Sequence, residues 1–246
     1  MVTKAAVLCG GEGTRLRPLI GDGQKTMIQV GRRKRPLLEY IVKLLVYHHI
    51  PEVTMLTGHG SEEVEKHFGD GSRFGASIAY SKDAKESWGS AQALRGAYER
   101  GRFGEFDDLV VYYGDILSGF NLRKMVAHHR RAKAAVTLVL TRDYKLPVGV
   151  AKVSRGRVVA FAEKPTLNLK TTVACLVISR ETIPVLKSVT SAGGKDIMTD
   201  FIPSIIEHQM KVSPYYADEF WRDVGTIEAY ERLDDRVIEE NLGFLG

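Results

Sequence analysis

The sequence predicts an α/β fold built on one doubly wound, mostly parallel mixed sheet. In the first half of the 246-residue chain, short apolar runs alternate with segments of helical periodicity, as in parallel β-α-β units. In the second half, apolar runs follow one another with a short turn between two of them, which adds an antiparallel portion. The length suits a single domain over residues 1–246.

The first half is expected to begin with a buried strand over residues 5–9, because this apolar run ends in glycines. A helix is expected next over residues 36–48, where leucines recur at helical spacing and Pro36 occupies a helix-start position. The remaining elements of this half are strands over 53–57, 77–80 and 109–113 and helices over 62–68 and 91–100.

The second half is expected to open with a helix over residues 122–133 and a strand over 136–141. A hairpin turn is predicted at Ser154-Arg155-Gly156, between two of the three strands that follow. Those strands cover 148–153, 157–161 and 173–178, and helices over 198–209 and 226–240 are expected to close the domain.

The composition, 44% hydrophobic and 26% charged, is that of an ordinary globular protein. Cys9 and Cys175 are too few for a disulfide framework or a zinc site, so we expect a reduced, cytoplasmic setting. The start of the chain does not resemble a signal peptide, and no apolar run approaches the roughly 18 residues of a membrane span. We therefore expect no membrane partner.

The net charge of +5 allows an anionic partner without identifying one. The densest basic cluster is the run Arg32-Arg33-Lys34-Arg35. It can be interpreted as a solvated loop or as a lip that attracts phosphates. No DNA- or RNA-binding motif accompanies the charge, so we expect no nucleic acid partner.

A glycine-rich turn, Gly10-Gly11-Glu12-Gly13-Thr14-Arg15-Leu16-Arg17-Pro18, directly follows the first predicted strand. Glycine N–H groups can form an anion-binding nest, and the forked guanidinium of Arg15 suits phosphate oxygens. The turn is not a Walker A loop, and Leu16 occupies the last position of a G-x-G-x-x-G pattern. Taken alone, the glycines are also compatible with a plain tight turn.

This turn resembles the signature of the sugar-phosphate nucleotidylyltransferases, which include glucose-1-phosphate thymidylyltransferases and mannose-1-phosphate guanylyltransferases. The resemblance implies a Rossmann-like fold of the nucleotide-diphospho-sugar transferase type, whose antiparallel portion lies on the sugar side. It implies that the triphosphate is bound by Gly10, Gly11, Gly13 and Thr14. It also implies two catalytic cations, Arg15 and Lys25, the latter in Lys25-Thr26-Met27 where the family has Lys-Pro-Met.

The segment Gly89-Ser90-Ala91-Gln92-Ala93-Leu94 resembles the family segment that borders the nucleotide base. Gly89 and Gln92 are therefore expected at the nucleotide, because a Gln amide offers donors and an acceptor to a base edge. The alternative is that Gln92 is simply solvated on its helix.

Two carboxylates match the family's metal ligands. Asp115 ends the run Tyr112-Tyr113-Gly114-Asp115, and Asp223 lies in Trp221-Arg222-Asp223-Val224-Gly225-Thr226. The resemblance implies that both hold Mg²⁺, a cation that prefers carboxylate oxygens. A plain turn at Asp115 and a helix cap at Asp223 or Thr226 are the alternatives.

Glu163-Lys164-Pro165 matches the family's Glu-Lys-Pro, which implies that Glu163 contacts the sugar and Lys164 the sugar phosphate. Gly149 stands where a family glycine lets the sugar approach the backbone. One stretch departs from the family: Val173-Ala174-Cys175 replaces the usual Asn-Ala-Gly. Recognition of the sugar hydroxyls is therefore expected to differ.

The resemblance, which runs from about residue 5 to residue 232, implies nucleotidyl transfer from a nucleoside triphosphate to a sugar 1-phosphate. The Ala91-Gln92 pair favours dTTP or UTP over GTP. The alternative is a non-catalytic regulatory relative that binds a nucleotide-sugar, although the complete set of charged residues favours an enzyme. A C-terminal β-helix, which some relatives carry, is not expected here, so a homo-oligomer would form through the catalytic domain.

Overall fold

A computed structural model of the chain describes residues 1–82, 89–142, 144–146 and 148–246, with the backbone alone at 144 and 145. The strands, in chain order, are β1 (Thr3–Cys9), β2 (Gln29–Val30), β3 (Arg35–Pro36), β4 (Glu52–Thr57), β5 (Ser77–Lys82), β6 (Asp108–Tyr113), β7 (Ile116–Ser118), β8 (Val136–Thr141), β9 (Tyr144–Lys145), β10 (Val150–Ser154), β11 (Arg157–Ala162), β12 (Thr166–Leu167), β13 (Thr171–Ser179), β14 (Val212–Tyr216) and β15 (Trp221–Asp223).

The α-helices are α1 (Arg17–Ile20), α2 (Leu37–Tyr47), α3 (Ser61–Phe68), α4 (Ser90–Glu99), α5 (Leu122–Ala132), α6 (Ile183–Ser191), α7 (Ile202–Glu207), α8 (Ile227–Glu231) and α9 (Asp235–Leu242). Short 3₁₀ turns include Thr14–Leu16, Lys25–Met27 and Ser72–Phe74, and a π-helical segment, Ile197–Phe201, leads into α7. None of the helices in the described ranges has the length and apolar content needed to span a bilayer.

The main sheet has seven strands in the order β14-β8-β13-β6-β1-β4-β5. Strands β6, β1, β4 and β5 are parallel to one another, whereas β13 is antiparallel to both of its neighbours, β6 and β8. Strand β14 adds a parallel pairing with β8 at one edge. The predicted mixed, mostly parallel sheet with an antiparallel portion is confirmed.

Helices cover both faces of this sheet, and alternate residues of β1 therefore belong to two different cores. Ala5, Val7 and Cys9 pack in a core with residues of α2, α3 and α5. Ala6 packs in the other core, with residues of α4, α6 and α7. This division of a continuous apolar strand between two cores is the property that makes the sheet doubly wound.

The predicted hairpin turn is confirmed between β10 and β11, which pair antiparallel. Arg155 and Gly156 have φ values of 49° and 75°, both in the left-handed region that tight hairpin turns require. Every residue of these two strands is exposed, so the hairpin stands off the main sheet.

Two helix predictions need correction. The helix predicted over 226–240 is two helices, α8 and α9, because the carboxylate of Asp234 accepts the Arg236 N–H at 2.8 Å and starts a new helix. The helix predicted over 198–209 begins as the π-helical segment and ends at Glu207. Helix α6 and strand β14 lie outside the predicted elements.

Candidate active site

The glycine-rich turn and the Gly114-Asp115 pair leave the sheet side by side. Leu8 of β1 is in register with Tyr113 of the parallel strand β6, and the Gly114 N–H donates to the Leu8 carbonyl at 2.9 Å. The carboxyl ends of parallel strands are where open α/β sheets bind ligands. The predicted phosphate and metal residues therefore share one edge of the sheet.

Glycine is required at two positions near this edge of the sheet, because other segments of the same chain approach the backbone closely. A Cβ atom at Gly114 would lie 2.7 Å from the Leu8 carbonyl oxygen and 2.8 Å from Thr26 Cγ2. Gly13 adopts φ +61°, and a Cβ atom there would lie 2.7 Å from Lys25 Cβ. The glycine turn thus packs directly on the segment that carries Lys25.

Lys25 and Asp115 form an ion pair, with Lys25 Nζ 2.6 Å from Asp115 Oδ2. Their side chains are 19% and 18% exposed, so the pair is shielded but open to a ligand. Thr26, which replaces the family proline, keeps a backbone N–H that donates to Gln24 Oε1 at 3.3 Å. The side chain of Gln24 therefore helps to hold the segment that a proline would otherwise stiffen.

Asp223 is brought to Asp115 by the short β7–β15 ladder, in which Asp223 lies opposite Ile116. The Val224 N–H donates to the Asp115 carbonyl at 2.8 Å, and the Gly225 N–H donates to Asp223 Oδ1 at 2.8 Å. The Asp223 carboxylate thus accepts the Gly225 N–H just before α8 and is not the cap of that helix. The cap is Thr226, whose Oγ1 accepts the Ala229 N–H.

The pKa of Asp223 is raised, first because protein atoms desolvate its carboxylate and second because Asp115 repels its charge. The Gly225 N–H and the cations Lys25 and Arg15 oppose this rise. Arg15 is close by, since a Cβ atom at Gly225 would lie 3.4 Å from Arg15 Nη2. Arg15, Lys25, Asp115 and Asp223 therefore form one cluster, which we call the charged cluster.

The helix start predicted to border the base is fixed by the segment before the π helix. A side chain at Gly89, which has φ +135°, would overlap the Lys195 carbonyl oxygen, and that oxygen accepts the Ala91 N–H at 2.9 Å. Gln92 Nε2 donates to the Thr190 carbonyl at 3.0 Å and the Gly194 carbonyl at 2.9 Å. The Gln92 side-chain amide thus links α4 to the end of α6 through these two hydrogen bonds. The contact of Gln92 with a nucleotide base stays a prediction.

On the sugar side, Gly149 lies against the start of the Glu163-Lys164 pair. A Cβ atom at Gly149 would lie 2.5 Å from Phe161 Cζ and 2.9 Å from Glu163 Oε2. Glu163 and Lys164 are exposed, and Lys164 has a left-handed backbone with φ 46°. Within the described residues, no hydrogen bond or ion pair joins them to the charged cluster. Their sugar and phosphate contacts stay predictions.

Comparison with known proteins decides the family. Residues 4–240 match the family model described as nucleotidyl transferase. The chain belongs to this family. A UTP–glucose-1-phosphate uridylyltransferase of Synechocystis sp. is 30% identical, over 92% of this chain and 61% of the relative. A mannose-1-phosphate guanylyltransferase of Mycobacterium tuberculosis is 30% identical, over 93% of this chain and 62% of the relative.

The chain thus spans less than two thirds of the length of those two relatives. A crystal structure from Bacillus anthracis, described as a glucose-1-phosphate thymidylyltransferase in complex with a sucrose, superposes with a TM-score of 0.74. That protein is 25% identical, and the match covers 94% of this chain and 93% of the other. The fold predicted from the sequence is confirmed by this likeness.

The two carboxylates of the charged cluster would fit a magnesium ion if substrate supplied further oxygen ligands. Within the described ranges, no group of three or more His, Cys, Asp or Glu side chains could hold a metal by itself. Asp115 and Asp223 supply two oxygen ligands, and Mg²⁺ typically binds through one or two carboxylates, substrate phosphates and water. Desolvation and then repulsion by Asp115 raise the pKa of Asp223, and a cation between the two carboxylates would relieve that repulsion.

The residues that replace the family's Asn-Ala-Gly do not offer polar contacts in its place. Val173 and Cys175 are buried, and the ladder between β13 and β8 is interrupted from Thr172 to Leu176. Burial raises the pKa of the Cys175 thiol, so this group stays protonated in the core. The expectation that sugar recognition differs from the family pattern stays a prediction.

A polar network around Ser90 and Asp196 was not predicted from the sequence. Ser90 Oγ donates to Asp196 Oδ2 at 2.8 Å and accepts the Ile197 N–H at 2.8 Å and the Tyr113 hydroxyl at 3.2 Å. Asp196 Oδ1 in turn accepts the N–H groups of Met198 and Thr199. An Asp directly before an apolar helical run is a capping signal that could have pointed to Asp196.

Proposed function

We propose that this chain transfers a nucleotidyl group from a nucleoside triphosphate to a sugar 1-phosphate and releases pyrophosphate. The observation that carries the proposal is the charged cluster at the end of β1, where Arg15, Lys25, Asp115 and Asp223 meet beside a glycine turn. Two anionic substrates repel each other, so this reaction needs cations in fixed positions more than it needs an acid or a base.

In the proposed reaction, an oxygen of the sugar phosphate attacks the α-phosphorus of the triphosphate. The bond from that phosphorus to the oxygen bridging the α- and β-phosphates breaks, and pyrophosphate leaves with the bonding electrons. The attacking phosphate is already ionised at neutral pH, so no side chain has to remove a proton.

Each residue of the cluster has a role in this scheme. Backbone N–H groups of the glycine turn bind the triphosphate, and Arg15 and Lys25 offset charge on the transferring and leaving groups. Lys25 is positioned before substrate arrives, because Asp115 holds its Nζ at 2.6 Å. Asp115 and Asp223 would hold Mg²⁺, which when bound neutralises phosphate charge and polarises the α-phosphorus.

The acceptor side is proposed to use Gly149, Glu163 and Lys164. Lys164 would bind the sugar phosphate, while Glu163 would accept hydrogen bonds from ring hydroxyls beside the side-chain-free Gly149. The close packing of Gly149 on Glu163 supports a joint role for these two residues. The expected donor is dTTP or UTP, with GTP as the alternative.

The test is a matrix of nucleoside triphosphates against hexose 1-phosphates with Mg²⁺, read as pyrophosphate release. We expect one donor and acceptor pair to exceed the others, and Arg15→Ala to abolish most of that signal. A wild-type chain that binds nucleotide-sugar but releases no pyrophosphate in any combination would instead be the non-catalytic regulatory relative.

A further inference from the structure

Phe161 is the most exposed of the nine phenylalanines of the chain, with 65% of the residue accessible to solvent. A single exposed apolar side chain is common on protein surfaces and indicates nothing by itself. The position of Phe161 gives its exposure a meaning. The residue lies on β11, two residues before Glu163, and both side chains point to the face of the hairpin that carries Gly149. The acceptor is proposed to bind on that face.

The Phe161 ring lies across the backbone of Gly149. Strand pairing puts Ala151 opposite Phe161, so Gly149, two residues earlier, is the diagonal neighbour of Phe161 across the hairpin. A Cβ atom at Gly149 would lie 2.5 Å from Phe161 Cζ and 2.9 Å from Phe161 Cε2. Any other residue at position 149 would therefore push the ring away. The backbone of Gly149 is thus covered by the ring and is not open to a sugar on this face.

The carboxylate of Glu163 reaches the same point of the surface. Its Oε2 would lie 2.9 Å from a Cβ atom at Gly149, so it borders the tip of the Phe161 ring. The ring offers an apolar face, and the carboxylate accepts hydrogen bonds. A sugar ring can use both at once, because its C–H groups pack on the aromatic face while its hydroxyls donate to the carboxylate.

Strand β13 supplies little to a sugar by comparison. Val173 and Cys175, at the positions of the family's Asn and Gly, are 2% and 0% exposed. No residue of β13 carries a side-chain amide that could bind a sugar hydroxyl. An apolar contact with Phe161 would compensate for the polar contact that this strand does not offer.

We propose that the Phe161 ring binds the acceptor by stacking on the C–H groups of its sugar ring. In this arrangement Gly149 makes room for the aromatic ring, and the sugar rests on that ring instead of on the Gly149 backbone. The inference rests on the proposed function, because the acceptor is part of it. Phe161 then determines how tightly the acceptor is held, whereas the triphosphate is bound elsewhere, at the charged cluster.

The kinetic test uses the donor and acceptor pair that gives the highest rate of pyrophosphate release. Phe161→Ala removes the ring and Phe161→Tyr retains it. Val158→Ala is the matched control, because Val158 is 64% exposed on the same strand, nearer the turn. We expect the acceptor KM of Phe161→Ala to rise about tenfold, while kcat and the KM for the triphosphate stay within about twofold. Phe161→Tyr should stay within about twofold of wild type in all three constants.

Two results overturn the proposal. One is an acceptor KM that is the same in Phe161→Ala and Val158→Ala. The other is a change in kcat, or in the KM for the triphosphate, as large as the change in the acceptor KM. Such a change would indicate that loss of the ring disturbs the site as a whole.

A double-mutant cycle separates the two possible roles of Gly149. Gly149→Ala should displace the aromatic ring and raise the acceptor KM when Phe161 is present. When Phe161 is replaced by Ala, the closer of the two contacts of the new Cβ atom is gone, so Gly149→Ala should raise that KM by a much smaller factor. An equal factor in both backgrounds would mean that the sugar itself needs the space at Gly149, and it would contradict the proposal.

Failure of the proposed function is a separate outcome, seen when wild type releases no pyrophosphate with any substrate pair. Phe161 is then tested by titration calorimetry with UDP-glucose, dTDP-glucose and GDP-mannose, each compared with the matching nucleoside triphosphate. The dissociation constant of the nucleotide-sugar that binds should rise about tenfold in Phe161→Ala, and that of the triphosphate should stay within about twofold. Equal binding of the nucleotide-sugar by both proteins, or binding of none of the three, overturns the inference as well.

Discussion

Lys25 Nζ lies 2.6 Å from Asp115 Oδ2, an ion pair that joins two loops 90 residues apart in the chain. The contact holds the cation of one loop against a carboxylate of the other at the carboxyl end of the sheet. In the proposed reaction Asp115 therefore has two roles. It positions Lys25, and together with Asp223 it would hold Mg²⁺.

The first prediction concerns the charge of Lys25. Lys25→Met keeps an unbranched stem, which packs near Gly11 and Gly13, but removes the ammonium group. We expect kcat/KM for pyrophosphate release to fall by about 10²–10³, the usual loss for a positioned electrostatic group. Lys4→Met is the control, because Lys4 pairs with Glu52 away from the charged cluster. Equal activities of the two variants would contradict the role of Lys25.

The second prediction concerns Asp223, whose pKa is raised by burial and by Asp115. The folded chain therefore holds a proton on Asp223 more tightly than the unfolded chain, and stability from this group is lost as pH rises through the raised pKa. Asp223→Asn cannot ionise, so without metal its Tm at neutral pH should equal or exceed that of wild type, while pyrophosphate release is lost.

The same variant tests the metal. Mg²⁺ should raise the Tm of wild type, because a ligand bound only by the folded state stabilises it, and should leave the Tm of Asp223→Asn unchanged. Asp22→Asn, at an exposed position, should respond to Mg²⁺ like wild type. An equal Mg²⁺ response in all three proteins rules out Asp223 as a ligand.

The raised pKa of Asp223 also predicts the pH dependence of activity. As the pH falls, Asp223 should become protonated at a higher pH than an ordinary carboxylate, so wild-type activity should be lost at that higher pH.

The fold was predictable where burial is continuous. The strand predicted over 136–141 has the bounds of β8, because an apolar run between polar turns fixes both ends. Strand β14 was not predictable from this pattern, since it contains Pro214 and lies at the edge of the sheet, where a proline is tolerated. Helix α6 was missed because its Val and Thr residues weaken the helical signal.

The candidate site was predictable as a set of residues but not as contacts. Family motifs placed Lys25 and Asp115 in the site, yet their ion pair depends on the packing of β1 beside β6. The partners of Gln92 are backbone carbonyls about 100 residues away, and a carbonyl carries no side-chain signal in the sequence.

The third prediction concerns the backbone of Gly89. In Gly89→Ala the new Cβ would overlap the Lys195 carbonyl, and the residue would be held at φ +135°. Gly69→Ala is the matched control, because Gly69 has φ +55° and a Cβ added there would meet none of the described atoms within 4 Å. We expect urea unfolding to show a free energy of unfolding lower for Gly89→Ala than for Gly69→Ala by about 1–3 kcal/mol, the usual cost of overpacking. Equal values would mean that the clash is relieved.

The fourth prediction concerns Asp108, which lies buried at the other end of β6. Arg130 Nε lies 2.6 Å from its Oδ2, and His129 Nε2 lies 3.5 Å from its Oδ1. Burial alone would raise the pKa of Asp108, but the hydrogen bonds from His129 and Arg130 outweigh it and hold that pKa below its ordinary value. In acid, the unfolded chain therefore binds a proton at Asp108 before the folded chain does.

It follows that Asp108 stabilises the fold above the unfolded-state pKa, about 3.9, and that this contribution is lost as pH falls through the lower folded-state value. Asp108→Asn should reduce the free energy of unfolding at pH 7 by about 1–3 kcal/mol, because a charged hydrogen-bond acceptor is lost. The deficit should shrink as pH falls below 4. Urea unfolding between pH 3 and pH 7 measures both effects, with the exposed neighbour Asp107→Asn as the control, expected within about 1 kcal/mol of wild type. A deficit that stays constant across this range would show that the ionised carboxylate of Asp108 does not carry the stabilisation.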